Sequence, residues 1–94
     1  MSCEFYSYTF PLETDMAEVE EALLLATMAA EGLHGRARIQ LDADFTCDLD
    51  SRRAVIAGGN EVGETIARIF TALLASTIGE RAFTVERSMK AECV

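Results

Sequence analysis

From Arg36 to Asp50 apolar and polar positions alternate. Ala37, Ile39, Leu41, Ala43, Phe45, Cys47 and Leu49 share one parity, and Arg36, Arg38, Gln40, Asp42, Asp44, Thr46, Asp48 and Asp50 share the other. Period two is the mark of a strand with one buried and one wet face. Fifteen residues are long for one strand, so the chain is expected to turn near Asp48–Arg52 and return as a second strand over Arg53–Ala57.

Elsewhere the period changes. Cys3 to Phe10 is rich in Phe, Tyr and Thr and is closed by Pro11, which predicts a strand. After a cap at Thr14 or Asp15, Met16, Val19, Leu23, Ala26, Ala30 and Leu33 recur at helical spacing. Asp15 with Glu18 resembles a capping box, and Gly32 followed by Leu33 resembles a left-handed helix end. Ala22–Ala30 is apolar nearly all round, so this helix is expected to be contacted on more than one side. Gly58-Gly59-Asn60 breaks the strand and caps a second helix with a stripe of Val62, Ile66, Ile69, Phe70, Leu73, Leu74 and Ile78. Gly79 ends it, and Phe83–Met89 forms a last strand.

Six elements are thus expected near residues 3–10, 15–31, 36–47, 53–58, 61–78 and 83–89, with a frayed tail over 90–94. The order β-α-β-β-α-β predicts an α+β fold. Its commonest solution is the ferredoxin-like two-layer sandwich, a four-stranded antiparallel sheet with two helices on one face. Residues 1–94 form one domain on this reading. Leu23, Ile39, Leu41, Phe45, Ile66, Phe70, Leu73 and Val85 are the expected core.

Composition narrows the function more than it defines it. The net charge is −8, and residues 1–35 carry seven acids and no Lys or Arg. A nucleic-acid binder needs a basic footprint, so no DNA or RNA binding is expected, and the same argument opposes docking on an anionic membrane. No apolar run reaches the length of a membrane span, and the start of the chain has no basic region of the secretory type. Cys3, Cys47 and Cys93 have no metal-type spacing and fit reduced intracellular thiols, so a cytoplasmic location is expected.

Few residues carry chemistry. Asp42 and Asp44, and again Asp48 and Asp50, share a strand face if the alternation holds. Such pairs could hold a hard cation or act as acid and base. An ordinary wet face with Arg36, Arg38, Arg52 and Arg53 as counter-charges accounts for them better, and no ion is expected at Asp42 and Asp44. The Gly58-Gly59-Asn60 loop lacks Lys and is followed by Glu61 and Glu64, so it is expected to be a plain strand-to-helix turn. His34 is expected at an exposed turn, and Cys47 in the core. Tyr6 and Tyr8 have two possible places: the open sheet face, as an interface, or under the helices with their hydroxyls at the edge.

No nucleophile–base pair, metal cluster or cofactor loop is visible, and no cofactor is expected. The function expected is a non-enzymatic interaction or self-assembly module. A protein partner is possible, and a symmetric homodimer is expected through the open sheet face or the edge strand 36–47. The alternative is a small enzyme or ligand-binding domain with a pocket at a subunit interface, built from Tyr8, Arg38, Asp42 and Asp44.

Overall fold

The computed structural model describes residues 3–90, with the side chains of Cys3, Met89 and Lys90 excepted. The elements in chain order are β1 (Cys3–Thr9), α1 (Met16–His34), α2 (Arg36–Asp42), β2 (Phe45–Asp48), β3 (Arg53–Ala57), α3 (Glu61–Thr77), a 3-10 turn (Glu80–Ala82) and β4 (Thr84–Lys90). The fold is α+β, with three α-helices and a four-stranded antiparallel sheet in the order β2-β3-β1-β4. β4 continues through Lys90; the rest of the expected frayed tail lies outside the described residues.

Parity along the strands decides which face is covered. Register sets Tyr6 opposite Ile56, and Ile56 opposite Phe45; the next row is Tyr8, Ala54 and Cys47. Tyr8, Ala54 and Ile56 are buried with Val19, Leu23 and Ala26 of α1 and Val62, Ile66, Phe70 and Leu74 of α3. Tyr6 and Tyr8 therefore lie on the helix side of the sheet. Ser7, Thr9, Arg53, Val55, Thr46 and Glu86 take the opposite parity, and none of them is buried. Of the expected core, Leu23, Ile39, Ile66 and Phe70 are buried and Phe45 and Leu73 are half-buried.

The largest departure is residues 36–42. The expected strand 36–47 is a helix over Arg36–Asp42 and a strand only over Phe45–Asp48. β3 is five residues long and pairs with Phe45–Asp48 alone. A strand over residues 36–43 would thus have no ladder partner on that side, and a helical turn satisfies its backbone groups locally. Ile39 N–H donates to Gly35 O and Ala43 N–H donates to Ile39 O. In the helix Ile39 turns inward, and Leu41, two residues on, points away at 81% exposed. Leu41 is thus not core, nor is Val85, which sits on edge strand β4 at 41% exposed.

The helix ends also differ from expectation. Asp15 caps α1, but its carboxylate accepts from Ala17 N–H at 2.9 Å rather than completing a box with Glu18. The helix passes through Gly32 and stops at Gly35, whose φ of 88° suits glycine and whose N–H donates to Glu31 O. Leu33 is exposed and makes no cap contact of the expected kind. Asn60 caps α3 as expected, accepting from Gly63 N–H at 2.7 Å while its amide donates to Asp42 O at 3.0 Å. No helix among the described residues is long and apolar enough to cross a membrane.

Candidate functional site

The four residues expected to form a binding set fall in different surroundings. Arg38 and Asp42 form an i,i+4 ion pair on α2, Nε to Oδ2 at 3.0 Å. Asp44 is exposed in the link to β2, where its backbone carbonyl accepts from Ala57 N–H at 2.8 Å. Tyr8 is buried on β1 beneath α3; its hydroxyl lies 2.8 Å from Thr71 Oγ1 and donates to Ala67 O at 3.3 Å. Asp42 and Asp44 do not share a strand face, because α2 ends between them. Among the described residues no group of three or more His, Cys, Asp or Glu side chains is placed to hold a metal ion.

The other polar candidates serve the fold. Asp48 Oδ1 accepts from Asp50 N–H at 3.0 Å and Ser51 N–H at 3.3 Å, closing the β2–β3 turn. Those bonds, with Ser51 first, hold its carboxyl below the usual range. Arg52 is not a counter-charge to the aspartates; its guanidinium donates to Pro11 O and Thr14 O and ties that turn to the β1–α1 link. His34 is half-buried in the last turn of α1, not on an exposed turn, and its Nε2 lies 2.8 Å from Thr65 Oγ1. Cys47 packs half-buried against the core, and burial, then Glu20 and Asp48, push its thiol up, opposite to what a nucleophile needs.

Two surface features remain. The first is a groove of about 260 Å³ between α3 and β4, walled by Tyr6, Tyr8, Val85 and Thr71, with Glu64 and Arg68 at its margin. Beside it, Glu4 accepts from the Tyr6 hydroxyl and from Arg87, each at 2.8 Å. Glu4 shares Tyr6's parity on β1, and Arg87 faces Tyr6 from β4. Parity along β1 is the sequence signal for the Glu4–Tyr6 pair, which sequence reasoning missed; Arg87 joins it only through the register of β1 against β4. Arg87, then Tyr6, hold the Glu4 carboxyl below its usual range, and Glu4 in turn pushes the Tyr6 phenol up.

This triad gives a pH prediction. A carboxyl whose folded value is depressed contributes stability present above its unfolded value, about 4.3 for Glu, and lost as the pH falls through the folded value. Against it, protonating the many other acids relieves the self-repulsion of a −8 chain. The difference between wild type and Arg87→Gln isolates the pair. Wild type is expected to lose its urea-midpoint advantage over the variant as the pH drops from 6 to 3; an unchanged gap shows that the pair contributes nothing.

The second feature is α1 itself. At about 100° per residue, Ala17, Glu21, Leu24, Leu25, Met28 and Gly32 lie opposite the buried Val19, Ala26 and Ala30. Leu24, Leu25 and Met28 are 56%, 48% and 67% exposed. Beside them a groove of about 240 Å³ runs between α1 and α3, with Ala22, Leu25 and Leu73 as its apolar lining and Glu18, Glu21 and Thr77 completing it. Helix α1 is thus apolar on two sides, and the fold covers one of them. Comparison of the chain with protein-family models and with curated proteins found no match.

Proposed function

We propose that the domain is a non-enzymatic protein-interaction module, cytoplasmic, that docks through the outward face of α1. The observation that carries this reading is the set Leu24, Leu25 and Met28, exposed on the side of α1 away from the core. Apolar side chains clustered this way on a surface mark interaction sites more often than scattered single ones do. The scaffold is ferredoxin-like on this reading. Its support is that β1–α1–β2 and β3–α3–β4 are each a split β-α-β unit, with β3 between β1 and β2 and β1 between β3 and β4. Helix α2 is an addition to that plan.

Self-association belongs to the same reading, and its support is the uncovered sheet face. There Val55 and Ser7 are half-buried between the exposed Thr46 and Glu86. The edge strand once expected to make the contact is too short for it, since β2 spans only Phe45–Asp48. A second reading, a small ligand-binding domain, draws its support from the groove at Tyr6, Tyr8, Glu64 and Arg68 rather than from Arg38, Asp42 and Asp44.

The test is photo-crosslinking in the cells that make the protein, with a photoreactive residue placed at Met28 and, as control, at Glu86. A crosslinked product from position 28 that is lost on Leu24→Lys is expected. If the chain leaves its own cells as a lone 10.3 kDa species by native mass spectrometry, with no product from position 28, the reading is wrong.

A further inference from the structure

We infer that the occupant of the α1 face is a cationic amphipathic helix of another protein, laid along the groove between α1 and α3. This rests on the interaction reading above and adds the chemistry of the partner.

The apolar part of the site is a stripe with a trough beside it. Leu24 and Met28 are one turn apart on the outer face of α1, and Leu25 and Leu73 line the trough with the nearly buried Ala22. From Ala22 to Met28 the apolar stripe runs about 9 Å at 1.5 Å per residue. That length fits roughly two turns of a second helix, whose apolar residues at i, i+3 and i+4 would seat along it.

Charge selects the occupant. Glu18, Glu20, Glu21 and Glu31 surround the stripe, all exposed, and none forms a salt bridge among the described residues. No Lys or Arg occurs anywhere in residues 1–35 to balance them. A second copy docked face to face about a two-fold axis would bring this acidic rim against its own image, and like charges placed so oppose association. A nucleic acid or an anionic bilayer meets the same repulsion. A helix with an apolar face and Lys or Arg flanks satisfies both parts at once. The leucines and Met28 lose water against its apolar face, and the four carboxylates gain counter-charges at the rim, where they set orientation and association rate more than affinity.

The experiment titrates the full chain with three synthetic peptides: a Leu-faced, Lys-flanked helix, the same helix with Glu flanks, and a scrambled Lys peptide of identical composition. The first is expected to bind at micromolar Kd, with the other two weaker by at least about tenfold. Leu25→Lys with Met28→Lys should weaken binding by a further tenfold or so, with the circular dichroism and urea midpoint nearly unchanged, because these are surface positions. Glu18→Gln with Glu21→Gln should weaken it several-fold and flatten its dependence on salt. Equal binding of the Glu-flanked or scrambled peptide overturns the proposal. So does a dimer by light scattering that Leu24→Lys with Met28→Lys dissociates, because the face then belongs to a second copy. A Met28 crosslink in cells together with no preference for the Lys-flanked helix overturns this inference alone and leaves the interaction reading standing.

Discussion

Gly63→Ala is expected to destabilise the domain by at least about 3 kcal/mol, the upper end of the usual overpacking cost. Gly63 lies in the first turn of α3, buried against the end of β3. A Cβ there would fall on the carbonyl oxygen of Ala57, 3.0 Å from its carbonyl carbon and 3.2 Å from Gly58 Cα. These are backbone atoms, so no rotamer change relieves the clash. The segment is also pinned: Ala57 N–H donates to Asp44 O and Gly58 N–H to Glu4 O, each at 2.8 Å. Helix propensity alone favours Ala over Gly by about 1 kcal/mol, so the clash must overcome that gain. Gly32 is the control. It lies inside α1 with nothing within 4 Å of a built Cβ, so Gly32→Ala is expected to stabilise by up to about 1 kcal/mol. Opposite shifts of the two urea midpoints confirm that α3 sits directly on the end of β3; a Gly63→Ala protein as stable as wild type refutes it.

The same pair shows what the sequence conveys and where it stops. A glycine inside a helix says nothing of what approaches it, and the apolar stripe of Val62 and Ile66 is drawn without Gly63. Much was legible: α3 and the body of α1 stand where apolar spacing put them, β1 where its Phe, Tyr and Thr content put it, and β3 where the return strand after the turn was expected. Residues 36–42 were not, because Arg-Ala-Arg-Ile-Gln-Leu-Asp alternates and yet also places Arg38 and Asp42 one helical turn apart. Local pattern could not decide between them. The length of β3, a partner more than ten residues away, did, by leaving residues 36–43 without a ladder. The candidate sites follow the same division. The two-sided apolar character of α1 is visible in Ala22–Ala30, because it needs only one helix. The groove at Tyr6 and Tyr8 needs the register of β1 against β4, and the shared strand face expected for Arg38, Asp42 and Asp44 needs a strand where Arg36–Asp42 is a helix.

Phe70→Ala is expected to remove about 3–5 kcal/mol, a large share of the roughly 5–15 kcal/mol that holds a domain of this kind. Phe70 is wholly buried on α3 and meets the Tyr8 ring edge-on, centroids 4.8 Å apart at 69°. Deleting the ring loses its burial and leaves a cavity under Tyr8, whose hydroxyl is fixed at Thr71 and so cannot follow the void. Phe70→Leu keeps most of the volume and forfeits chiefly the ring pair, worth about 0.5–1.5 kcal/mol. The chain has two tyrosines and no tryptophan, so tyrosine emission, summed over Tyr8 and Tyr6 on the same face of β1, follows unfolding. A Phe70→Ala midpoint close to that of Phe70→Leu would mean the ring is not packed as described. Met28→Ala supplies the contrast: exposed on the far side of α1, it should shift the midpoint by no more than about 0.5 kcal/mol. If burial of Phe70 sustains the fold while Met28 can be trimmed freely, the apolar residues on the outer face of α1 are not there for folding. What remains for them is contact with something outside the domain.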